Sequence, residues 1–427
     1  MKIRNFFLLY LFFLHAVVSS QDVEYAGKII ETLSSPAFHG RGYVNKGLEV
    51  SAGYIQKEFE NTGLQPLFEG YSQWFNMPVN TFPGKLSLCL DSICMQPGIE
   101  FLADPASPAL SGTYEFITIA RSTLFRQRKL NKKLTEAAGK FIVIDQPENE
   151  NNPGYDAEHI NQLIKILKYD PRLQIAGVIE LTDKKLSWNV STGLAPRPSF
   201  LVKTASWPFG AESVKLELEN RFFNEYPASN LAGFVQGTLI PDSFLLITAH
   251  YDHLGRMGND CYFPGANDNA SGVAVLLDLA KYYAKNKPDY SIIFVAFAGE
   301  EAGLLGSDYF VKNTPIDLKK IKFLINLDLA GNGEDGLAVV NGSVHTGQFR
   351  KIAEINHASG YFPMVKARGE ACNSDHCPFH KAEVPCFFIY TMGGTGAYHD
   401  LNDDYSSLSL SRYDALFNLI TAFIGSF

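Results

Sequence analysis

No apolar run in this chain is long enough to cross a membrane. The stretch from Phe6 to Val18 is interrupted by His15, and a spanning helix takes about 20 apolar residues. Clusters of basic residues are also missing. The chain has 37 Lys and Arg against 45 Asp and Glu, a net charge of -8, so nucleic acid and anionic membrane surfaces are poor partners. Cysteine is sparse, with six residues and no zinc-ribbon spacing. The Gly-x-Ser-x-Gly elbow of serine hydrolases does not occur. Internal repeats and low-complexity tracts are absent as well, which excludes solenoids and disordered arrays.

The amino terminus carries Lys2 and Arg4, then the apolar stretch, then Ser19-Ser20-Gln21. A basic start, an apolar middle and a small-residue end are the parts of a signal peptide, here residues 1–20. The expectation is export to a periplasmic or extracellular location, without stable membrane insertion. Loss of Lys2 and Arg4 would take the charge to -10. In an oxidising compartment an even cysteine count suits one or two disulfides. Cys89 and Cys94 could bridge a hairpin, and Cys372 and Cys377 could close a short loop.

The chain of 427 residues suffices for two or three domains at about 150 residues each. Residues 23–63 carry apolar positions at helical spacing, among them Ile29, Ile30, Leu33, Ile55 and Phe59. Between 84 and 222 the texture changes to short β-like runs, such as 140–145, 176–181, 199–203 and 213–218, separated by Gly, Pro, Asn and Asp. After Pro227 strand and helix patterns alternate, with strands at 244–249, 291–296, 321–327 and 385–390, and helices at 272–285, from 301, at 347–359 and at 408–423. Alternation of this kind predicts an α/β fold with a mostly parallel sheet and helices on both faces. The boundaries drawn are 21–83 plus 223–427 for this discontinuous domain, with a β-rich domain inserted at 84–222.

The residues that carry chemistry end the strands of that second half. His250 and Asp252 end one apolar run, Glu300 and Glu301 follow another, Asp328 ends a third, Asp268 precedes a helix, and His399 lies in a Gly-rich loop. Two His and several carboxylates at strand ends form a ligand set for two Zn2+ ions. Asp268, a short carboxylate in a tight turn, suits the position shared by both ions, although alone it would read as a helix cap. Asp252 lies two residues from His250 on an extended segment, so its carboxylate can accept the far N–H of that imidazole as an outer-shell partner. Adjacent carboxylates cannot both bind one ion at ideal geometry. Glu301 as ligand leaves Glu300 as general base. Tyr398, beside His399, could donate to a developing oxyanion or simply pack. Ser374-Asp375-His376 is discounted as a triad because adjacent residues rarely align in that way. The sequon Asn269-Ala270-Ser271 is discounted because a glycan would block the site beside Asp268.

Six motifs in order carry a resemblance. His250-Tyr251-Asp252-His253-Leu254-Gly255, Pro264 to Gly272, Gly299-Glu300-Glu301 to Ser307, Asn326-Leu327-Asp328, Ser374-Asp375-His376-x-Pro378-Phe379 and Tyr398-His399 resemble the M28 zinc metallopeptidases, with a weaker likeness at Phe38-His39-Gly40-Arg41-Gly42. The fold this implies is of the zinc-peptidase/phosphorylase type. The block containing Gly139 to Ile144 and Ala176 to Ile179 is similar to a protease-associated domain. Carried over, the resemblance implies that His250 and Asp328 hold one zinc, Glu301 and His399 the other, that Asp268 bridges them, and that Glu300 is the base. It also implies aminopeptidase activity on peptide or protein substrates with a free amino terminus. One departure is Leu401, where the family often has Pro; Asp403 keeps the acid beyond it. The alternatives are a glutaminyl-peptide cyclase, a single-zinc acyltransferase of similar fold whose pattern has Trp where this chain has Tyr398, and a non-catalytic peptidase-like ectodomain. The oligomeric state is left open.

Overall fold

The computed structural model describes residues 22–91, 93–145, 157–208 and 210–427. The segment assigned to a signal peptide lies outside them. Within the described residues no helix is long and apolar enough to cross a membrane.

Two sheets organise the chain. The larger has strands in the order Gln65–Pro66, Arg221–Val235, Tyr290–Phe297, Ile240–His250, Ile321–Leu327, Cys386–Met392, Gly336–Val340 and Val365–Ala367, with Ser72–Thr81 also paired to Arg221–Val235. The four central strands, from Tyr290–Phe297 to Cys386–Met392, run parallel. They read as continuous apolar runs because both faces are covered. Along one strand Ile292, Phe294 and Ala296 pack into one core while Ile293, Val295 and Phe297 pack into another, as the two-residue period of a strand requires. Helices Val23–Leu33, Gly272–Lys285 and Tyr413–Ile424 supply the first core, and Leu305–Asn313 and His376–Lys381 the second.

The sheet is more mixed than the alternation predicts. Strands Arg221–Val235 and Gly336–Val340 join the parallel core antiparallel. Ser72–Thr81 and Arg221–Val235 form an antiparallel ribbon that carries the chain into the smaller sheet and back. Nothing local in the sequence marks this pairing, since its partners lie some 140 residues apart.

The smaller sheet contains only strands between Leu86 and Leu218. One face packs against helices Gln127–Glu136 and Ala157–Tyr169. The other buries Phe101, Phe141, Trp188 and Phe200 together with Leu254, Met257, Cys261 and Phe263, which belong to the loop after strand Ile240–His250. The smaller sheet therefore rests on a loop that leaves the carboxyl edge of the larger one. Disulfides join Cys89 to Cys94 and Cys372 to Cys377, and Cys261 and Cys386 are buried thiols.

Candidate metal centre

The carboxyl ends of the parallel strands bring together all five of the expected ligands. His250 ends its strand, and its Nε2 lies 3.3 Å from Asp268 Oδ1 and 3.5 Å from Asp328 Oδ1. His399 Nε2 lies 3.0 Å from Asp268 Oδ2 and 3.3 Å from Glu301 Oε2. Asp268 thus presents one oxygen to each imidazole. Ligand atoms around a tetrahedral zinc with bonds near 2.0 Å are about 3.3 Å apart, so these spacings fit two ions sharing Asp268. Asp328 Oδ1 is buried with no hydrogen-bond partner among the described residues. An uncompensated buried carboxylate oxygen is costly, and a cation would satisfy it.

The electrostatics of the cluster agree. Burial opposes charge on His250, Asp268, Glu301 and His399, yet the mutual attraction of imidazoles and carboxylates wins. His399 is raised to about 11 by Glu301 and Asp268 against burial, and His250 is raised well above its usual range by Glu300 and Asp328 against the same cost. Glu301 falls to about 2, since His399 and His253 outweigh burial and the Asp268 charge. The raised His250 and His399 thus balance the carboxylates they face, a role a divalent ion would take over.

Alternative groupings of three ligand atoms within 4.8 Å pair His250 and Asp328 with Glu300, and Asp268 and Glu301 with His253. His253 is better read as an outer partner. Its Nδ1 meets Glu301 Oε1 at 2.8 Å, leaving Oε2 turned to His399. The sequence reading gave His253 no role, although it lies three residues from His250 in the same motif.

Asp252 behaves differently from the expectation. The acceptor for His250 Nδ1 is the main-chain carbonyl of Asp252, at 3.1 Å, while the carboxylate lies 3.7 Å away. A carbonyl can only accept, so Nδ1 carries the proton and Nε2 faces the ligand cluster. The Asp252 carboxylate instead accepts the Glu300 and Glu301 N–H groups, each at 3.2 Å, and the Tyr43 hydroxyl at 2.6 Å. It fixes the turn that presents the glutamate pair.

Glu300 is pushed well above the carboxylate range by burial and by the charges of Glu301, Asp375 and Asp328, with His250 opposing. Asp375, discounted above as part of a triad, is fully buried. Neither of its oxygens has a well-formed hydrogen bond among the described residues, and the nearby Ser307 hydroxyl is directed to the Leu304 carbonyl at 3.2 Å. Burial raises Asp375 to about 7, against His250 and Ser307. Tyr398 stacks on His399 with ring centroids 4.0 Å apart. Its side is 45% exposed, open to an incoming group. Packing and then the charges of Asp268 and Glu301 keep its phenol protonated.

The turn bearing Asp268 is held from two sides by residues the sequence reading did not assign. Arg41, fully buried, donates to the carbonyls of Tyr251, Leu33, Pro264, Gly265 and Asp268 at 2.6 to 3.0 Å. Asp403 accepts the N–H groups of Asn267 at 2.7 Å and Asp268 at 3.0 Å. The cap of helix Gly272–Lys285 comes from Asn269, whose Oδ1 accepts from Gly272 N at 3.0 Å. Asp268 is therefore not the cap, and its side chain remains in the cluster. Asn269 also donates to the Leu327 carbonyl at 2.9 Å and is buried, so the sequon is inaccessible.

Fold and site together define an α/β protein with imidazoles and carboxylates gathered at the crevice where such sheets bind ligands, a donor set suited to divalent metal. Residues 230–424 match the family model of Peptidase family M28. Aminopeptidase YwaD of Bacillus subtilis (strain 168) is 30% identical over 217 residues, 48% of this chain and 46% of that protein. A probable leucine aminopeptidase of Arthroderma otae is 31% identical over 194 residues, covering 42% of this chain and 50% of that one. The chain spans about half the length of these curated relatives. Among solved structures, BSAP, a zinc aminopeptidase from Bacillus subtilis, superposes with a TM-score of 0.72 over 95% of both chains at 21% identity, a likeness of fold.

Proposed function

We propose that the chain is an exported zinc metallopeptidase that removes residues from the free amino termini of peptides, with two Zn2+ ions held by His250, Asp328, Asp268, Glu301 and His399. The observation that carries the reading is Asp268, one oxygen toward each imidazole, with Glu300 beside the cluster. The names of the similar proteins, aminopeptidase and zinc aminopeptidase, favour the same activity. The reading takes residues 21–83 and 223–427 as the peptidase domain, 84–222 as an inserted protease-associated-like domain, and residues 1–20 as the export signal.

When bound, zinc supplies Lewis acidity to a water molecule and to the scissile carbonyl. The protein's own groups do the rest. Glu300, whose carboxyl burial raises above the ordinary carboxylate range, accepts a proton from the attacking water on its carboxylate and returns it to the departing amine. Tyr398, a protonated phenol at the exposed side of His399, donates a hydrogen bond to the carbonyl oxygen as charge develops.

The test is mass spectrometry of products from matched peptides with free, N-acetylated and Gln amino termini, before and after chelation and return of zinc. Stepwise zinc-dependent loss of residues from free termini alone is the expected result. Loss of ammonia from the Gln peptide without cleavage would replace the peptidase reading with the cyclase, and no turnover with tight peptide binding would replace it with a binding ectodomain.

A further inference from the structure

His399 sits on a loop without regular structure, and its own backbone is in the left-handed region, at φ 55. A non-glycine residue there is disfavoured and must be held by its surroundings. The restraint comes from a segment between two strands of the smaller sheet, Gly177–Thr182 and Ser199–Lys203. His399 Nδ1 meets the Trp188 carbonyl at 2.9 Å and Asn189 Oδ1 at 3.0 Å. The carbonyl accepts only, so Nδ1 bears a proton, and Nε2 is the nitrogen turned to Asp268 and Glu301. In return Trp188 N donates to the His399 carbonyl at 2.9 Å. Lys185 Nζ pairs with Asp400 at 2.6 Å and donates to the Gly396 carbonyl at 2.9 Å.

The segment is itself anchored. Trp188 Nε1 donates to the Ala103 carbonyl at 2.8 Å, and its ring stacks on Phe263 at 4.9 Å and 18°. Leu401, where the family pattern often has Pro, packs against the smaller sheet's core. His250 has no such dependence: its Nδ1 is satisfied two residues away on its own strand extension.

Resting on the two-ion reading above, we propose that residues 185–189 of the smaller sheet are a positioning clamp for His399, so that the ion shared by His399 and Glu301 depends on the smaller sheet and the ion shared by His250 and Asp328 does not. Asn189 and Lys185 are the positioning residues. Both side chains are exposed, so truncating them spares the core.

The experiment is Zn2+ titration of chelator-stripped full-length protein against a chromophoric competitor, for wild type, Asn189→Ala, Asn189→Asp and Lys185→Met, with circular dichroism to follow folding. The wild type is expected to bind two ions. Asn189→Ala is expected to weaken one of them about 10-fold, the low end of the cost of losing an outer partner of a metal histidine because the Trp188 carbonyl still accepts from Nδ1, and to leave the other unchanged. Lys185→Met should give the same split with a smaller factor, and Asn189→Asp, which keeps the acceptor, should restore near wild-type binding. Equal weakening of both ions, or no weakening in any folded variant, would overturn the clamp. Fewer than two ions in the wild type would instead remove the two-ion reading, and the split with it.

Discussion

His250 and His399 face the same aspartate from opposite sides and are held there by different means. His250 and Asp328 stand at or one residue beyond the ends of adjacent parallel strands, and the sheet's hydrogen-bond ladder places them at no extra cost. Asp268 and His399 lie on loops, and each of these loops is fastened by groups more than 130 residues away in sequence: Arg41 and Asp403 for Asp268, Trp188 and Asn189 for His399. A strand end is a rigid mount because its backbone is already paired. A loop is not, and the polar groups that immobilise it must be recruited from elsewhere.

The strand-held side can be broken chemically without disturbing either mount. Glu300→Gln is expected to retain two ions while turnover falls on the order of 10^3-fold, the scale of a lost general base; metal analysis beside steady-state kinetics checks it, and an active variant would remove Glu300 from the base role. The loop-held side breaks structurally. Arg41→Met removes a donor from five carbonyls and should lower stability by about 3 kcal/mol and, on the proposed two-ion reading in which Asp268 serves both, weaken both ions. Retention of one ion at full affinity after that change would mean that the Asp268 turn does not need Arg41.

A third substitution sharpens the comparison by lying outside both sides. Asp278, buried on the helix behind the site, accepts from Asp22 N at 3.1 Å and from the Tyr413 hydroxyl at 3.2 Å. Burial raises it to about 6 from 3.8, against those bonds and Lys281. The folded state therefore binds the proton more tightly than the unfolded one, and the group's contribution to stability falls as pH rises from about 4 to about 6. Asp278→Asn should gain on wild type by on the order of 2 kcal/mol between pH 4 and pH 8, with metal content unchanged. Denaturant melts at the two pH values read the gain, and a pH-independent difference would show that Asp278 titrates normally.

Local elements with dense apolar patterning were legible from the residues. The helix expected at 272–285 is Gly272–Lys285, and the strands expected at 199–203 and 213–218 are Ser199–Lys203 and Ser213–Leu218. The helix expected from 301 begins at Leu305, because 300–304 forms a turn in which Leu304 takes φ 64 and the Glu300 and Glu301 N–H groups go to Asp252. The long ribbon of Ser72–Thr81 with Arg221–Val235 was not legible, since a half-exposed antiparallel pair has no local signal for its distant partner.

The candidate residue types, and the strand-end places of His250 and Asp328, could be read from the sequence, since apolar runs that end in His or Asp can be read one segment at a time. Which nitrogen of His250 and His399 faces the cluster, which carbonyls Arg41 bonds, where the Asp252 carboxylate points and what steadies His399 were decided only in the tertiary structure. Those are pairings between groups far apart along the chain, and a hydrogen bond's partner depends on distance and direction in space, which residue order alone does not encode.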